Sequence, residues 1–323
     1  MTSSKPMTPI SRAILAIHGG AGAPKRETFT PAAEREHRDT LIAALRVGYE
    51  ILRTPGGTAL DATQAAVEWL ENSPLFNAGK GSVFTRDGRN ELDAAIADGA
   101  TRRAGAVAGL LRIRNPIKAA RAVMDRSRHV FMIGEGAEKF AIGCGVEAVE
   151  PDYFRTQSAW DEMQEVHRKV QHKDPDVDGR TPHMSHGTVG AVAVDASGNL
   201  AAATSTGGIT YKRSGRVGDT PVIGGGTYAE NETCAVSCTG HGEIFIRYCV
   251  AHEIAARMKY GRQSLPEAAH AVLAGLPAEA EGVGGLVAID REGNFAMPFN
   301  TRGMFRGYVT AEGRFHAAVF PES

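Results

Sequence analysis

Short apolar runs alternate with helix-like patterns along the first 150 residues. The run at 13–17 ends in the glycine-rich segment 18–22, which is typical of a buried strand that enters a loop. Apolar residues then recur at helical spacing from Leu41 to Leu52. The other elements predicted here are a helix from Thr58 to about Glu71, two strands joined at Asp98–Gly99, a helix that begins at Asn115–Pro116, a short buried strand at 129–134 and a helix over 135–141.

The pattern changes at about residue 152. Residues 152–187 are charged, rich in turn-forming residues and without a hydrophobic period, which predicts a flexible linker. A linker of this length inside a compact protein suggests a functional reason. The apolar pattern resumes at Thr188, and the elements predicted after it are a strand–turn–strand unit over 188–208, a strand at 233–240, one continuous helix over 242–258, a second helix over 264–275 and a hairpin over 284–300.

The strands at 188–195 and 200–208 are apolar on both faces. Both sides of their sheet must therefore be covered. Together with the flanking helices, this predicts an α+β fold in which layered sheets lie between helices.

The composition is that of a soluble globular protein. Hydrophobic residues make up 42% and charged residues 23% of the 323 residues, which is enough for a sizeable core. The formal net charge of −1 argues against a nucleic-acid partner, because a phosphate-binding surface normally shows a basic excess. No apolar run is long enough to span a membrane, and the polar N-terminus lacks the apolar region of a secretory signal. The expected ligand is a small molecule or peptide, and the expected location is cytoplasmic.

Four cysteines are too few for a disulfide framework. Cys234 and Cys238 lie too far apart along one predicted strand to form a bond with each other. We therefore expect all four, which also include Cys144 and Cys249, to be small buried hydrophobic residues.

The candidate chemistry lies where the predicted linker meets a strand, at Gly187–Thr188. An activated threonine needs a base within hydrogen-bond reach. Its own α-amino group, with an ordinary pKa of about 7.7–8.0, can act as that base if the threonine is a chain terminus. Cleavage of the Gly187–Thr188 bond would create this terminus. Glycine tolerates the strained backbone of a scissile bond, and the following strand would hold the new terminus rigidly.

Six motifs stand in order along almost the whole chain and resemble those of the plant-type L-asparaginase / isoaspartyl peptidase family of N-terminal threonine hydrolases. They are HGGAG at 18–22, SPLFNAGKG at 73–81, GTVGAV at 187–192, TSTGG at 204–208, GRVGD at 215–219 and TGHGE at 239–243. The resemblance implies a four-layer αββα sandwich of the N-terminal nucleophile hydrolase type. It also implies a precursor that cleaves itself into an α subunit, 1–187, and a β subunit, 188–323, which together form one αββα domain.

The resemblance implies the catalytic residues. Thr188 resembles the nucleophile, and Thr206 resembles the hydroxyl that supports its free amine. Thr239 and the Gly240 backbone N–H resemble an oxyanion hole, which needs preorganised donors.

The resemblance also implies the substrate site. Arg216 would hold the substrate α-carboxylate and Asp219 its α-ammonium, with Gly242 and Asn77 as further pocket residues. This agrees with the chemistry of an amino acid head group, since arginine can bind a carboxylate bidentately. The implied substrates are L-asparagine and isoaspartyl dipeptides, hydrolysed at the β-aspartyl amide.

No cofactor is expected for the chemistry, but the resemblance implies a structural sodium ion in the loop 70–80. Main-chain carbonyls would bind it, from Leu70, Glu71, Ser73, Phe76, Ala78 and Lys80. The preceding helix would end there in unpaired carbonyls, which suit a hard cation. Alternatively, the Lys80 ammonium or water caps these carbonyls and no ion binds. The family further implies a dimer of αβ units.

Other interpretations stay open on the residues alone. Arg216 and Asp219 could form a surface ion pair, Asn77 could only pin its loop, and His18 is expected to be a structural histidine. A glycosylasparaginase-like amidase or a non-catalytic relic of the fold are alternative functions. A nucleotide-binding domain is disfavoured, because no helix opens directly after the glycines at 18–22. His241 stands where some relatives have threonine, which could alter the preferred leaving group.

Overall fold

The described residues form two β-sheets, which lie at the centre of the fold. The structure, a computed structural model, describes residues 13–22, 25–171, 187–277 and 282–321. The strands in these ranges are β1 (Ala13–Ala21), β2 (Leu92–Asp98), β3 (Ala104–Leu110), β4 (Phe131–Ile133), β5 (Val189–Val194), β6 (Leu200–Thr206), β7 (Thr227–Ala229), β8 (Ala235–Gly240), β9 (Gly284–Ile289), β10 (Phe295–Ala296), β11 (Met304–Thr310) and β12 (Phe315–Ala318).

In the described part of the chain, the large sheet has eight strands in the order β12-β11-β1-β5-β6-β2-β3-β4. The small sheet has four, in the order β10-β9-β8-β7. β5 lies antiparallel between β1 and β6, with Gly190 opposite His18 on one side and Val189 opposite Ser205 on the other. The strand that follows Thr188 is therefore enclosed on both edges.

The helices in the same ranges are α1 (Pro31–Arg53), α2 (Ala59–Glu71), α3 (Pro116–Arg126), α4 (Gly134–Gly143), α5 (Gln157–Gln171), α6 (Gly242–Arg247), α7 (Val250–Lys259) and α8 (Leu265–Ala274). Threonine hydroxyls cap the first two helices: Thr30 accepts from the N–H of Ala33, and Thr58 from that of Asp61. Each bond satisfies an N–H that has no partner inside its helix.

Three apolar layers separate four layers of secondary structure. One face of the large sheet packs on α1, α2 and α3 through residues such as Leu15, Ile17 and Leu70. Its other face meets the small sheet through Ala16 and Val287, and the small sheet in turn packs on α7 and α8. The alternation of Leu15, Ala16 and Ile17 between two cores reflects the two-residue period of a strand. The predicted αββα sandwich is confirmed.

The prediction of a linker over the whole of 152–187 is wrong at its N-terminal end. Residues Pro151–Phe154 form a short 3-10 helix, and α5 follows at Gln157–Gln171. Met163 and Trp160 of α5 pack against Phe84, which gives the helix an apolar face that the charged composition hides. Residues 172–186 lie outside the described ranges.

Three smaller predictions also fail. The continuous helix predicted over 242–258 is divided into α6 and α7, because Cys249 adopts a left-handed conformation with φ of 47°. The predicted buried strand at 129–134 is the exposed edge strand β4, where Ile133 is 68% exposed. Cys234 and Cys238 are buried as predicted, but Cys144 and Cys249 are exposed.

Among the described residues, every helix is too short or too polar to cross a membrane.

Candidate active site

The predicted nucleophile lies between the two sheets. Thr188 immediately precedes β5 and is only 8% exposed. Even-numbered residues of β5, such as Val192, face the small sheet, so strand alternation points the Thr188 side chain the same way. Its hydroxyl donates a hydrogen bond to the Thr206 hydroxyl at 3.1 Å. The two predicted threonines are thus in direct contact.

Thr206 is the last residue of β6, and hydrogen bonds from another part of the chain hold the turn that follows it. Its hydroxyl also accepts from the Gly208 N–H at 3.0 Å. Asn77 donates from Nδ2 to the Gly208 carbonyl at 2.6 Å and accepts from the Val83 N–H at 3.0 Å. Both ends of its amide are therefore occupied by protein, and in this structure Asn77 pins the turn beside Thr206.

The Gly187–Thr188 junction lies against Thr239 and the end of β1. A Cβ added to Gly187 would be 2.7 Å from the Thr239 hydroxyl, and one added to Gly20 would be 2.5 Å from the Gly187 carbonyl carbon. The Thr239 hydroxyl accepts from the Ala21 N–H at 3.1 Å, which leaves its proton available to donate. Gly240 follows with φ of 156°, and a Cβ there would be 2.3 Å from the Val283 carbonyl oxygen. Only glycine fits that position.

Arg216 is paired, but with a residue that sequence reasoning missed. Its Nε and Nη2 donate to Oε1 and Oε2 of Glu243, each at 2.9 Å. Burial alone would raise the pKa of Glu243, yet the hydrogen bonds and charge of Arg216 outweigh it and hold that pKa below its ordinary value. Glu243 is the last residue of the TGHGE motif. The motif therefore included this residue but did not reveal that it pairs with Arg216.

Asp219 is a buried carboxylate close to this pair. It is 4% exposed, and within the described residues its Oδ2 has no hydrogen-bond partner. Burial raises its pKa to about 7, although its backbone and the charge of Arg216 act in the opposite direction. A buried carboxylate oxygen without a partner needs a hydrogen-bond donor, which an ammonium ligand would supply.

The Arg216 guanidinium and the backbone of Asp219 both pack closely against Gly242. A Cβ at this position would be 2.8 Å from Nη2 of Arg216 and 3.0 Å from the backbone N of Asp219. The structure therefore brings Arg216, Asp219 and Gly242 together, as predicted, and the short segment from Thr239 to Gly242 links them to the threonine pair.

Buried charges behind the threonines were also missed. Asp93 of β2 stands opposite Thr206 of β6, and Lys212 donates to the Glu91 carbonyl at 3.0 Å. The Lys212 side chain packs where a Gly208 side chain would lie. Burial lowers the pKa of Lys212 and raises that of Asp93, while the attraction between the two charges opposes both shifts. The buried contacts of Lys212 thereby hold the segment between TSTGG and GRVGD against the end of β2.

His18, expected to be structural, contacts Thr188, the predicted nucleophile. Its Nδ1 bonds to the Thr188 carbonyl and its Nε2 to the Ser237 hydroxyl, both at 2.8 Å. Burial lowers the pKa of His18 to about 3, against the opposing effect of the bond to Thr188, so the imidazole is neutral at physiological pH.

In the loop proposed for sodium, carbonyl oxygens lie close to two glycines. A Cβ on Gly79 would be 2.4 Å from the Glu71 carbonyl oxygen, and one on Gly81 would be 2.1 Å from that of Phe76. The Lys80 ammonium lies 5.5 Å from the centre of the Tyr153 ring, above its face, rather than capping the helix end. Within the described ranges there is no cluster of His, Cys, Asp or Glu side chains that could hold a metal. The carbonyls of Leu70, Phe76 and Ala78 already accept backbone hydrogen bonds, from the N–H groups of Ser73, Ala78 and Gly81. The expectation of unpaired carbonyls at the helix end is therefore wrong for Leu70, and a cation would have to share these three oxygens.

Comparison with known proteins shows the family of the chain. A family model described as asparaginase matches residues 11–319. The chain is 50% identical over 304 residues to an isoaspartyl peptidase of Escherichia coli K12, covering 93% of each chain. It is 40% identical to a plant-type L-asparaginase of Thermococcus kodakarensis, covering 92% of this chain and 96% of the relative. It is 38% identical to an isoaspartyl peptidase/L-asparaginase of Bos taurus, covering 95% and 96%. The chain belongs to the asparaginase family that includes isoaspartyl peptidases and plant-type L-asparaginases.

Proposed function

We propose that this protein is an amidohydrolase that cleaves the β-aspartyl amide of isoaspartyl dipeptides and L-asparagine. Its nucleophile would be Thr188, freed by self-cleavage after Gly187. The observation that carries the proposal is the contact of the Thr188 hydroxyl with Thr206, at a glycine junction that lies against the Thr239 hydroxyl. The names of the relatives support the reaction class.

Self-cleavage would use the hydroxyl before the amine exists. The Thr188 hydroxyl oxygen attacks the Gly187 carbonyl carbon, and the proton that the hydroxyl gives up is transferred to the peptide nitrogen as the C–N bond breaks. Water then hydrolyses the resulting ester, which leaves the Gly187 carboxylate and a free Thr188 α-amine. The Thr239 hydroxyl is available to donate to the oxyanion, because the Ala21 bond uses it only as an acceptor.

In the mature enzyme, the free amine would act as the base. It accepts the hydroxyl proton while the oxygen attacks the β-carbonyl of the substrate. Thr239 and the Gly240 N–H stabilise the oxyanion, and the protonated amine donates to the departing ammonia or amino acid. Water then releases aspartate from the acyl-enzyme, which restores the hydroxyl.

The substrate head group would bind between Arg216 and Asp219. The unpartnered Asp219 Oδ2 is suited to the α-ammonium, and the guanidinium to the α-carboxylate. Because Glu243 already holds Nε and Nη2, the carboxylate must use the remaining N–H groups or replace Glu243.

We also propose that the loop 70–80 binds sodium through carbonyls of Leu70, Glu71, Ser73, Phe76, Ala78 and Lys80. A bound cation would stiffen the loop that carries Asn77 and so the turn beside Thr206. The expected assembly, a dimer of αβ units, rests on the family resemblance alone.

A substrate panel tests the proposed function. Purified protein and its Thr188→Ala variant are incubated with L-asparagine, a β-aspartyl dipeptide and N-acetylglucosaminyl-asparagine, and released aspartate is measured. Aspartate from the first two substrates, abolished in the variant, is the expected result. Turnover of the glycosylated substrate alone would favour the glycosylasparaginase alternative, and no turnover of any would indicate a non-catalytic protein.

A further inference from the structure

His18 connects three separate parts of the fold. It lies fully buried on β1, in the segment before the proposed cleavage site. Its Nδ1 contacts the carbonyl of Thr188, which begins the segment after that site, and its Nε2 contacts Ser237 on β8 of the small sheet. One side chain thus ties the nucleophilic residue to both sheets.

The chemistry of these contacts fixes the direction of the hydrogen bonds. A carbonyl only accepts, so Nδ1 must carry the imidazole proton. A neutral imidazole then offers Nε2 as an acceptor, and Ser237 must donate to it. Ser237 can in turn accept from Thr204 at 2.7 Å, and Thr204 lies 2.7 Å from Thr227. This row of hydroxyls ends 2.9 Å from the Thr220 carbonyl, next to Asp219.

A glycine makes room for the central contact. Gly190 stands opposite His18 in the sheet, and a Cβ at Gly190 would be 2.0 Å from the Ser237 hydroxyl and 2.4 Å from Nε2 of His18. Any other residue at 190 would therefore displace one of the two partners. His18, Gly190 and Ser237 lie far apart in sequence, and all three have residue types that suit the contact between His18 and Ser237.

The bond to Thr188 gains importance after self-cleavage. Thr188 then has no residue before it, so its orientation depends on its side chain and on its own carbonyl. A hydrogen bond to that carbonyl fixes the peptide plane that follows Thr188 and so the position of its Cα, to which the amine and the side chain are attached. A displacement of about 1 Å at a reacting group can cost roughly 100-fold in rate.

We propose that His18 and Ser237 are positioning residues: Ser237 locks the imidazole of His18, which holds the Thr188 carbonyl and so orients the nucleophile and its amine. The proposal rests on the proposed hydrolase function. It predicts an effect on turnover more than on substrate binding, because neither side chain lies at the Arg216–Asp219 pocket. Self-cleavage should also slow, since the same bond orients the Thr188 hydroxyl in the precursor.

The test compares Ser237→Ala with Thr63→Val. Thr63 is equally buried, and its hydroxyl bonds to the Leu60 carbonyl within α2, away from the site. Ser237→Ala should lower kcat for a β-aspartyl dipeptide by about 10- to 100-fold with KM changed less than about threefold. Thr63→Val should leave kcat unchanged, although we expect it to lower the melting temperature by about as much as Ser237→Ala does. Ser237→Cys, which keeps a weak donor, should recover part of the turnover.

A second pair of variants covers the case in which Ser237→Ala folds poorly. Asparagine at 18 retains an N–H near the position of Nδ1, whereas alanine does not. His18→Asn should therefore retain more turnover and faster self-cleavage than His18→Ala. Equal kcat in these two variants, or a kcat for Ser237→Ala no lower than for Thr63→Val, would overturn the proposal. An inactive wild-type protein would instead refute the proposed hydrolase function, so the two failures are distinguishable.

Discussion

Replacement of Asp219 by asparagine is expected to stabilise the protein at neutral to alkaline pH. Burial raises the pKa of this carboxyl from 3.8 to about 7. One pKa unit corresponds to about 1.4 kcal/mol, so the free energy of unfolding lost by ionising Asp219 is at most roughly 4 kcal/mol. The amide of asparagine has nearly the same shape and never has to ionise.

The pH window follows from the direction of the shift. Because the folded pKa lies above the unfolded one, the folded protein keeps a proton that the unfolded chain releases between these two values. The stabilising contribution is complete below about pH 4, declines as the pH rises, and is lost above about pH 7. Between pH 5 and pH 8, the advantage of Asp219→Asn should therefore grow by roughly 2–3 kcal/mol.

Urea unfolding at pH 5 and pH 8 measures this difference. Both proteins should carry Thr188→Ala, so that a single chain unfolds in every sample. The exposed Asp39 on α1 provides the control, because Asp39→Asn should change stability by less than about 0.5 kcal/mol at either pH. If the advantage of Asp219→Asn is the same at both pH values, burial does not raise the pKa of Asp219 in the folded protein.

Three further outcomes are expected. Arg216→Ala should lower kcat/KM for β-aspartyl dipeptides by about 100-fold or more, as loss of a charge-assisted bidentate contact implies, while self-cleavage followed by denaturing electrophoresis stays near the wild-type rate. Near-normal turnover would remove Arg216 from the pocket. Gly20→Ala should slow self-cleavage at least about tenfold, because its Cβ would meet the Gly187 carbonyl and its φ is +112°, whereas Gly136→Ala, with open space around it, should cleave normally. Returning sodium to protein dialysed into an organic-cation buffer should raise both melting temperature and activity, and a flat response at matched ionic strength would mean that the loop 70–80 is held by protein alone.

Elements with a clear apolar period were predictable from the sequence. Strands that are apolar on both faces, such as those around Thr188 and Thr206, predicted sheets that lie between helices. The four-layer αββα order came from the family resemblance. The helix α5 was missed because its apolar face is narrow and meets only a small cluster around Phe84. The break at Cys249 depends on one left-handed residue, for which a non-glycine side chain gives no sequence signal.

Some residues of the candidate site were likewise predictable from the sequence, and others were not. Motifs along the chain predicted which threonines and which charged residues would lie together, and the structure brings Thr188 to Thr206 and Arg216 to Asp219. Their roles stay predictions. The partners were hidden, since Arg216 meets Glu243 and His18 meets Ser237 across long stretches of sequence. Such pairs form only when the two sheets stack, so their chemistry cannot be assigned before the fold is known.

The most direct test of the account is the intact mass of the purified, denatured protein. We expect two chains in equal amounts, one ending at Gly187 and one beginning with Thr188, whose free amine is then confirmed by N-terminal sequencing. Thr188→Ala should give one uncleaved chain under the same conditions. A wild-type preparation that hydrolyses β-aspartyl substrates while remaining a single chain through Gly187–Thr188 would contradict the central claim.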